Sequence, residues 1–508
     1  MKKLRMIIAA AFMLAAGGAP ALTNTWTGTT DTNWNTAANW GGTALAANSG
    51  LNFTGTANTN TYNNTTANTS YANMLFGNTG NGQGFVLSGN QITLGGNITT
   101  AVAVASANIT DVINLNMQMN LARKVTLGTR HNLTINGVIS QSGIRDFTLA
   151  TVGSGGTLTL TGNNSFTGVL GNEGNGSVLS ISSIANSGVN SAAGAGSLIR
   201  LGNAGNTAGV LEYTGGAASV DRQIQVGNGL ANNTYTSGAV IKNNGTGALR
   251  FTNQTFNSYQ AGSTIANRTL TLGGINTASN EISGKITNNK FDGTNFNSTT
   301  GTIALVKADA GTWILSGANT YSGITTVSNG TLAINGDMSG ATGTVTVDAG
   351  ATLMGNGIIG GATTVNGNLK PGNSPGTLTF NAALTLGSAS TSTFEIVSAS
   401  VYDVLKNDGN DTITFNTGAN IIFDFTSWTG GNATNGTTFA LLENWGNSST
   451  FTNGPNYTYV NQANLGLTGS QSLQMTSTGL TVIPEPATIG MLGLGALVTL
   501  MIRRMRTA

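Results

Sequence analysis

The stretch Gly156-Thr157-Leu158-Thr159-Leu160-Thr161-Gly162-Asn163-Asn164-Ser165-Phe166-Thr167-Gly168 decides the fold class, because the chain uses it twice. Gly311-Thr312-Trp313-Ile314-Leu315-Ser316-Gly317-Ala318-Asn319-Thr320-Tyr321-Ser322-Gly323 aligns with it without a gap. An aromatic residue, Phe166 or Tyr321, stands at the same place in both copies. Upstream, Ile135-Asn136-Gly137-Val138-Ile139-Ser140 parallels Ile282-Ser283-Gly284-Lys285-Ile286-Thr287, and Gly84-Phe85-Val86-Leu87-Ser88-Gly89-Asn90 is a weaker relative. Apolar residues alternate with Thr or Ser, as in Thr157–Thr161 and Val345-Thr346-Val347. Period-two alternation marks half-buried strands. Gly and Asn punctuate the pattern, and both tolerate the left-handed conformations of tight turns. No sustained helical period occurs between residues 22 and 482. Internal repeats of short strands with tight corners point to stacked coils. The expectation is an all-β chain, a right-handed parallel β-helix or solenoid. Leu, Ile and Val would lie inside, Thr outside, and Asn at repeated corners would form ladders along the axis.

Composition narrows the function. Of 508 residues only 7% are charged, against roughly 25% in ordinary soluble domains, while Gly, Thr and Asn number 73, 79 and 64. There is no Cys and one His, which excludes disulfide scaffolds, thiolate metal sites and multi-histidine centres. The sparse charge argues against nucleic-acid binding. The formal net charge of +2 resides at the ends, and without Lys2, Lys3, Arg5, Arg503, Arg504 and Arg506 the body is weakly acidic.

Both ends read as addresses. Residues 1–21 have a basic start, the apolar run Met6–Ala16, and small residues at Ala19 and Ala21. That is the pattern of a signal peptide cleaved after Ala21, with Thr23 a close rival position. At the other end Pro484-Glu485-Pro486 precedes the uncharged apolar run Ala487–Ile502 and then Arg503, Arg504 and Arg506. As a helix, 487–502 spans roughly 24 Å at ~1.5 Å per residue, somewhat short of the ~30 Å hydrocarbon core. The arginines would hold this end on the cytoplasmic side. The two prolines keep Glu485 in extended backbone.

This tail resembles the PEP-CTERM sorting signal of bacterial exported proteins, with Ile483 where Val is usual and Met505 interrupting the basic cluster. The resemblance implies passage through the secretion translocon, anchoring by the 487–502 transmembrane helix, and cleavage near Pro-Glu-Pro by an exosortase-type membrane protease. The body resembles the autotransporter-associated β-strand repeat of passenger domains, best in Gly311–Gly336. Gly350-Ala351-Thr352-Leu353 and Leu369-Lys370-Pro371-Gly372-Asn373-Ser374-Pro375-Gly376 resemble that family's continuation. Trp26-Thr27-Gly28, Asn33-Trp34-Asn35 and Asn39-Trp40 resemble its opening. No run of amphipathic, aromatic-ended strands suggests an outer-membrane barrel.

Five segments follow: a signal peptide (1–21), an N-terminal cap with Trp motifs (22–80), a repeat-bearing β-helix (81–393), a more aromatic C-terminal β cap (394–481), and the sorting signal (482–508). Chemistry is sparse. His131, the one histidine, has no nucleophile-elbow pattern around it and reads as a turn or surface residue. Asp403, Asp408 and Asp411, with Lys406 among them, are the densest acids. Asp408-Gly409-Asn410-Asp411 faintly resembles a calcium loop but reads better as a solvated loop. Trp26, Trp34 and Trp40 suit either glycan stacking or, better, burial in the cap. Sequons such as Asn97-Ile98-Thr99 arise readily in so Asn- and Thr-rich a chain. The expectation is a protein without catalytic residues, cofactors or metal. It would be exported and membrane-anchored through its tail, then displayed at the cell surface or in an extracellular, biofilm-type matrix with polysaccharide as partner. The alternatives are a glycan-binding adhesin and a β-helical polysaccharide-degrading enzyme.

Overall fold

The computed structural model describes residues 23–77, 83–101, 108–151, 155–173, 176–202, 207–227, 238–252, 255–259, 267–291, 296–297, 301–446 and 455–484. These are all-β, and the two helical elements among them are single 3-10 turns, Ala37–Trp40 and Gln462–Leu465. The chain divides into two compact units, Met1–Asn203 with Thr207–Leu211, and Ala204–Asn206 with Glu212–Ala508.

In the first unit the chain visits three sheets in rotation. Met74–Phe76, Val86–Gly89 and Ile92–Leu94 belong to different sheets, and so do the next three strands, Ile98–Thr100, Ile109–Ile113 and Met117–Met119. Each strand pairs in parallel with its counterpart one circuit later: Met74 with Ile98, Val86 with Val112, and Ile92 with Met117. The second unit repeats the plan. Thr325–Val327, Thr331–Ile334 and Asp337–Met338 are followed by Val345–Val347, Thr352–Gly355 and Ile358–Ile359, with parallel pairing throughout. The strands therefore lie in parallel sheets with a solenoid-like repeat.

Side-chain alternation drives this arrangement. Leu133, Leu158 and Leu179 stack in register, as do Ile135, Leu160 and Ile181, and all six are fully buried. Each such side chain contributes about 1.5–3 kcal/mol on leaving water. Between them Thr134, Thr159 and Ser180 align on the opposite face of the sheet. The corners use Gly and Asn. Most of the non-glycine residues with positive φ are asparagines, including Asn48, Asn58, Asn68, Asn410 and Asn461.

The two copies of the repeat have the same corner. Asn164 and Asn319 are buried. The Asn164 Oδ1 accepts the Ile139 N–H at 2.7 Å, and the Asn319 Oδ1 accepts the Ile286 N–H at 2.8 Å. Ile139 and Ile286 are the equivalent residues of the matched upstream segments, one coil away. Gly162 and Gly317 pass so close to the carbonyls of Gly137 and Gly284 that a Cβ would overlap the oxygen. The repeat thus records a contact between consecutive coils. Ladders along the corners also occur: Asn136 donates to Asn114 at 2.8 Å, and Thr161 donates to Asn136 at 2.6 Å.

Residue 394 lies inside the strand Thr391–Ser398, and parallel pairing continues through Asn420–Asp424 to Asn456–Val460. Thr438–Phe439, Leu480–Pro484 and Gln471–Met475 form a separate antiparallel sheet.

Asn164→Ala or Asn319→Ala leaves a buried N–H unpaired, at a cost of about 1–3 kcal/mol. Urea unfolding should show this loss, whereas exposed Asn163→Ala should stay within ~0.5 kcal/mol of the parent. Equal effects at Asn163 and Asn164 would contradict the corner assignment.

Candidate functional site

The surface carries rows, and they follow from register. Thr326, Thr346, Thr364, Thr385 and Thr414 are consecutive partners across five parallel strands. None of them is buried. Parallel strands lie about 4.8 Å apart, so the hydroxyls recur at that interval. On a second sheet Thr312, Thr331, Thr352, Asn368, Thr391, Asn420 and Asn456 form a row of seven partners, again without charge. Sequence reading placed Thr outward but did not find these rows, since their register depends on corner lengths that vary from coil to coil.

The tryptophans are buried, Trp26 1%, Trp34 0% and Trp40 3% exposed. Trp26 and Trp40 meet edge to face with centroids 5.0 Å apart, and Trp34 and Trp40 at 6.0 Å. The indole N–H of Trp34 donates to Thr61 Oγ1 at 2.9 Å, and that of Trp40 to the Trp34 carbonyl at 2.8 Å. Their faces serve packing and are closed to a stacking sugar.

His131 corrects the sequence reading, for it is fully buried rather than in a turn or on the surface. It opens the strand His131–Ile135, its Nε2 lies 2.5 Å from Asp111 Oδ2, and its Nδ1–H donates to the Ala101 carbonyl at 2.8 Å. Asp111 Oδ1 accepts the Phe85 N–H at 2.7 Å. The pair ties neighbouring coils together. The missed signal was alternation itself, since Ile109, Asp111 and Ile113 share one inward face. Lys307 follows the same logic beside Ile303 and Leu305. Its ammonium donates to the carbonyls of Ala308, Asp309 and Asn329 at 2.6, 2.8 and 3.0 Å, and burial pulls its pKa down to about 8.

The structure does not gather Asp403, Asp408 and Asp411. Lys406 pairs with Asp408 at 2.8 Å, and the Asp411 N–H donates to Asn407 Oδ1 at 2.8 Å. Asp403 is buried, and its two oxygens accept the N–H groups of Gly376 and Glu395, each at 2.8 Å. It lines a cleft of about 250 Å³ with Lys370, Ser374, Glu395 and Asp424. Among the described residues no group of three His, Cys, Asp or Glu side chains is arranged to hold a metal.

Of the sorting residues, Pro484 is exposed and ends the strand Leu480–Pro484. Ala19, Ala21, Glu485, Pro486, Arg503, Arg504, Arg506 and the apolar run 487–502 lie outside the described residues. Among the described residues no helix is long and apolar enough to cross a membrane.

Comparison with known families gives two matches. Residues 482–506 match the PEP-CTERM protein-sorting motif, and residues 153–170 and 305–334 match the passenger-associated-transport repeat. This chain carries a PEP-CTERM sorting motif behind passenger-type repeats. The PEP-CTERM motif implies exosortase processing and marks an exported protein of the cell surface. The chain is also similar to the adhesin BmaC autotransporter of Brucella suis biovar 1 (strain 1330), 45% identical over 82 residues. That match covers 16% of this chain and 2% of the adhesin. The repeat matches contain Asn164 and Asn319, so the family pattern coincides with the corner that joins coils.

Burial raises the Asp403 carboxyl to about 6, and the neighbouring Glu395 charge adds to the rise, against the two amide bonds. A raised carboxyl pKa favours the folded state below about 4 and loses that contribution as pH rises through 6. The stability difference between the parent and Asp403→Asn should therefore shrink by about 2 kcal/mol between pH 4 and pH 7. A difference that does not change with pH would contradict this placement.

Proposed function

We propose that this chain is a non-catalytic, exported protein of the cell surface or extracellular matrix whose body faces polysaccharide. The uncharged rows Thr326–Thr414 and Thr312–Asn456 carry this reading. Neutral polysaccharides offer hydroxyls at regular intervals and no charge, and a flat row of hydroxyls and amides meets them without desolvating an ion. The body is read as a right-handed parallel β-helix, with an N-terminal cap (22–80), coils (81–393) and a terminal β cap (394–481). No cofactor, metal or nucleic acid enters this reading.

The ends serve delivery. The secretion translocon takes residues 1–21, which are removed after Ala21. Pro484, Glu485 and Pro486 then present the tail to an exosortase-type membrane protease, while the 487–502 helix and Arg503, Arg504 and Arg506 hold it in the membrane. The match to an adhesin supports a second reading, a glycan-binding adhesin with a defined ligand. A glycan array separates the two, since an adhesin selects a few glycans and a matrix protein binds neutral polymers broadly.

Replacing Thr346 and Thr385 together by Glu places two charges, two strands apart, in the row Thr326–Thr414. Co-sedimentation with neutral polysaccharide should fall about tenfold, roughly 1.4 kcal/mol, with the unfolding midpoint nearly unchanged. Undiminished co-sedimentation would remove the rows from the account.

A further inference from the structure

The matched sorting motif begins at residue 482, inside the folded cap. The strand Leu480–Pro484 lies in the middle of its sheet, between Thr438–Phe439 and Gln471–Met475. Leu480 and Val482 are fully buried. Both main-chain groups of Val482 are engaged on one side, its N–H with the Thr437 carbonyl and its carbonyl with the Gly436 N–H, each at 2.9 Å. On the other side the strand pairs with Gln471–Met475, Leu473 opposite Val482, Ser472 opposite Ile483, and Gln471 opposite Pro484. Phe439, opposite Leu480, packs against Trp428, Phe425 and Tyr402 at 5.8, 6.1 and 6.0 Å. The first residues of the motif are therefore part of a packed sheet.

A protease that holds its substrate extended needs free main-chain N–H and C=O groups on both sides of the bond it cuts. At residues 482 and 483 these groups face sheet partners. The far end is weaker. Pro484 is exposed and has no N–H to donate, so the ladder loses a bond where the tail departs.

We infer that this cap gates sorting: the tail-processing protease engages the whole motif only after Leu480–Pro484 peels out of its sheet, away from both Gln471–Met475 and Gly436–Phe439, starting at Pro484. The gate rests on the sorting role proposed for the tail. It couples release of the body to the local stability of the last hairpin, so tightening the hairpin slows processing.

Absence of cysteine in the native chain makes the test clean. Ser472→Cys and Ile483→Cys together, in the full-length chain, allow the two strands to be joined by a disulfide. The chain is incubated with membrane vesicles carrying an exosortase-type protease, and its intact mass is followed. The oxidised double variant should be processed at least tenfold more slowly than the parent. The reduced double variant and each single variant should be processed at the parent rate. Processing of the oxidised variant at the parent rate overturns the gate while leaving the sorting role intact. A parent chain that keeps Ala508 in every arm overturns the sorting role and the gate with it.

Discussion

Every coil must satisfy the main-chain polar groups at its corners, and the rest of the structure depends on how it does so. Along strands the problem is solved by parallel pairing. At corners the ladder breaks, and a buried N–H left unpaired there costs about 1–3 kcal/mol. Asparagine supplies the missing acceptor. Asn164 receives Ile139, Asn319 receives Ile286, Asn280 receives Leu249, and Asn116 receives Val138, all at 2.7–2.9 Å. This explains why a chain with so few charges and no disulfide folds. Its cohesion is a sum of nearest-neighbour terms between coils, in which ion pairs such as Lys124–Glu173 are minor surface additions.

Much of this was legible in the sequence. Alternation at Thr157–Thr161 fixes which side chains point inward, and the repeated Gly-x-Asn after it marks the corner. What stayed hidden depends on distances between coils. Asp111 and His131 sit on inward positions of their own strands, yet only the stacking of Asp111 opposite Leu133 brings the two together. In the sequence Asp403 stands only as one of the densest acids, near Lys406 and Asp408, and nothing there shows that its carboxylate turns to the amides of Gly376 and Glu395. The threonine rows escaped for the same reason, each threonine being an ordinary outward residue of its own strand.

The family matches are short, and the geometry says why. A coil demands an apolar residue at inward positions, a Gly where two backbones touch and an acceptor at the corner. Leu158 and Trp313 fill the same position, as do Phe166 and Tyr321, and all are buried. The matches fall where several of these demands coincide, at 153–170 and 305–334. Outward positions are under a different constraint. Those of the rows Thr326–Thr414 and Thr312–Asn456 stay neutral across five and seven strands, as the proposed contact with uncharged polymers requires.

The intact mass of the native protein, measured separately from membrane and extracellular fractions, tests this division of labour most directly. The account predicts an extracellular form that lacks residues 1–21 and roughly the last two dozen residues, with the β body whole. A protein found only in membranes, with a mass that still includes Ala508, would contradict it.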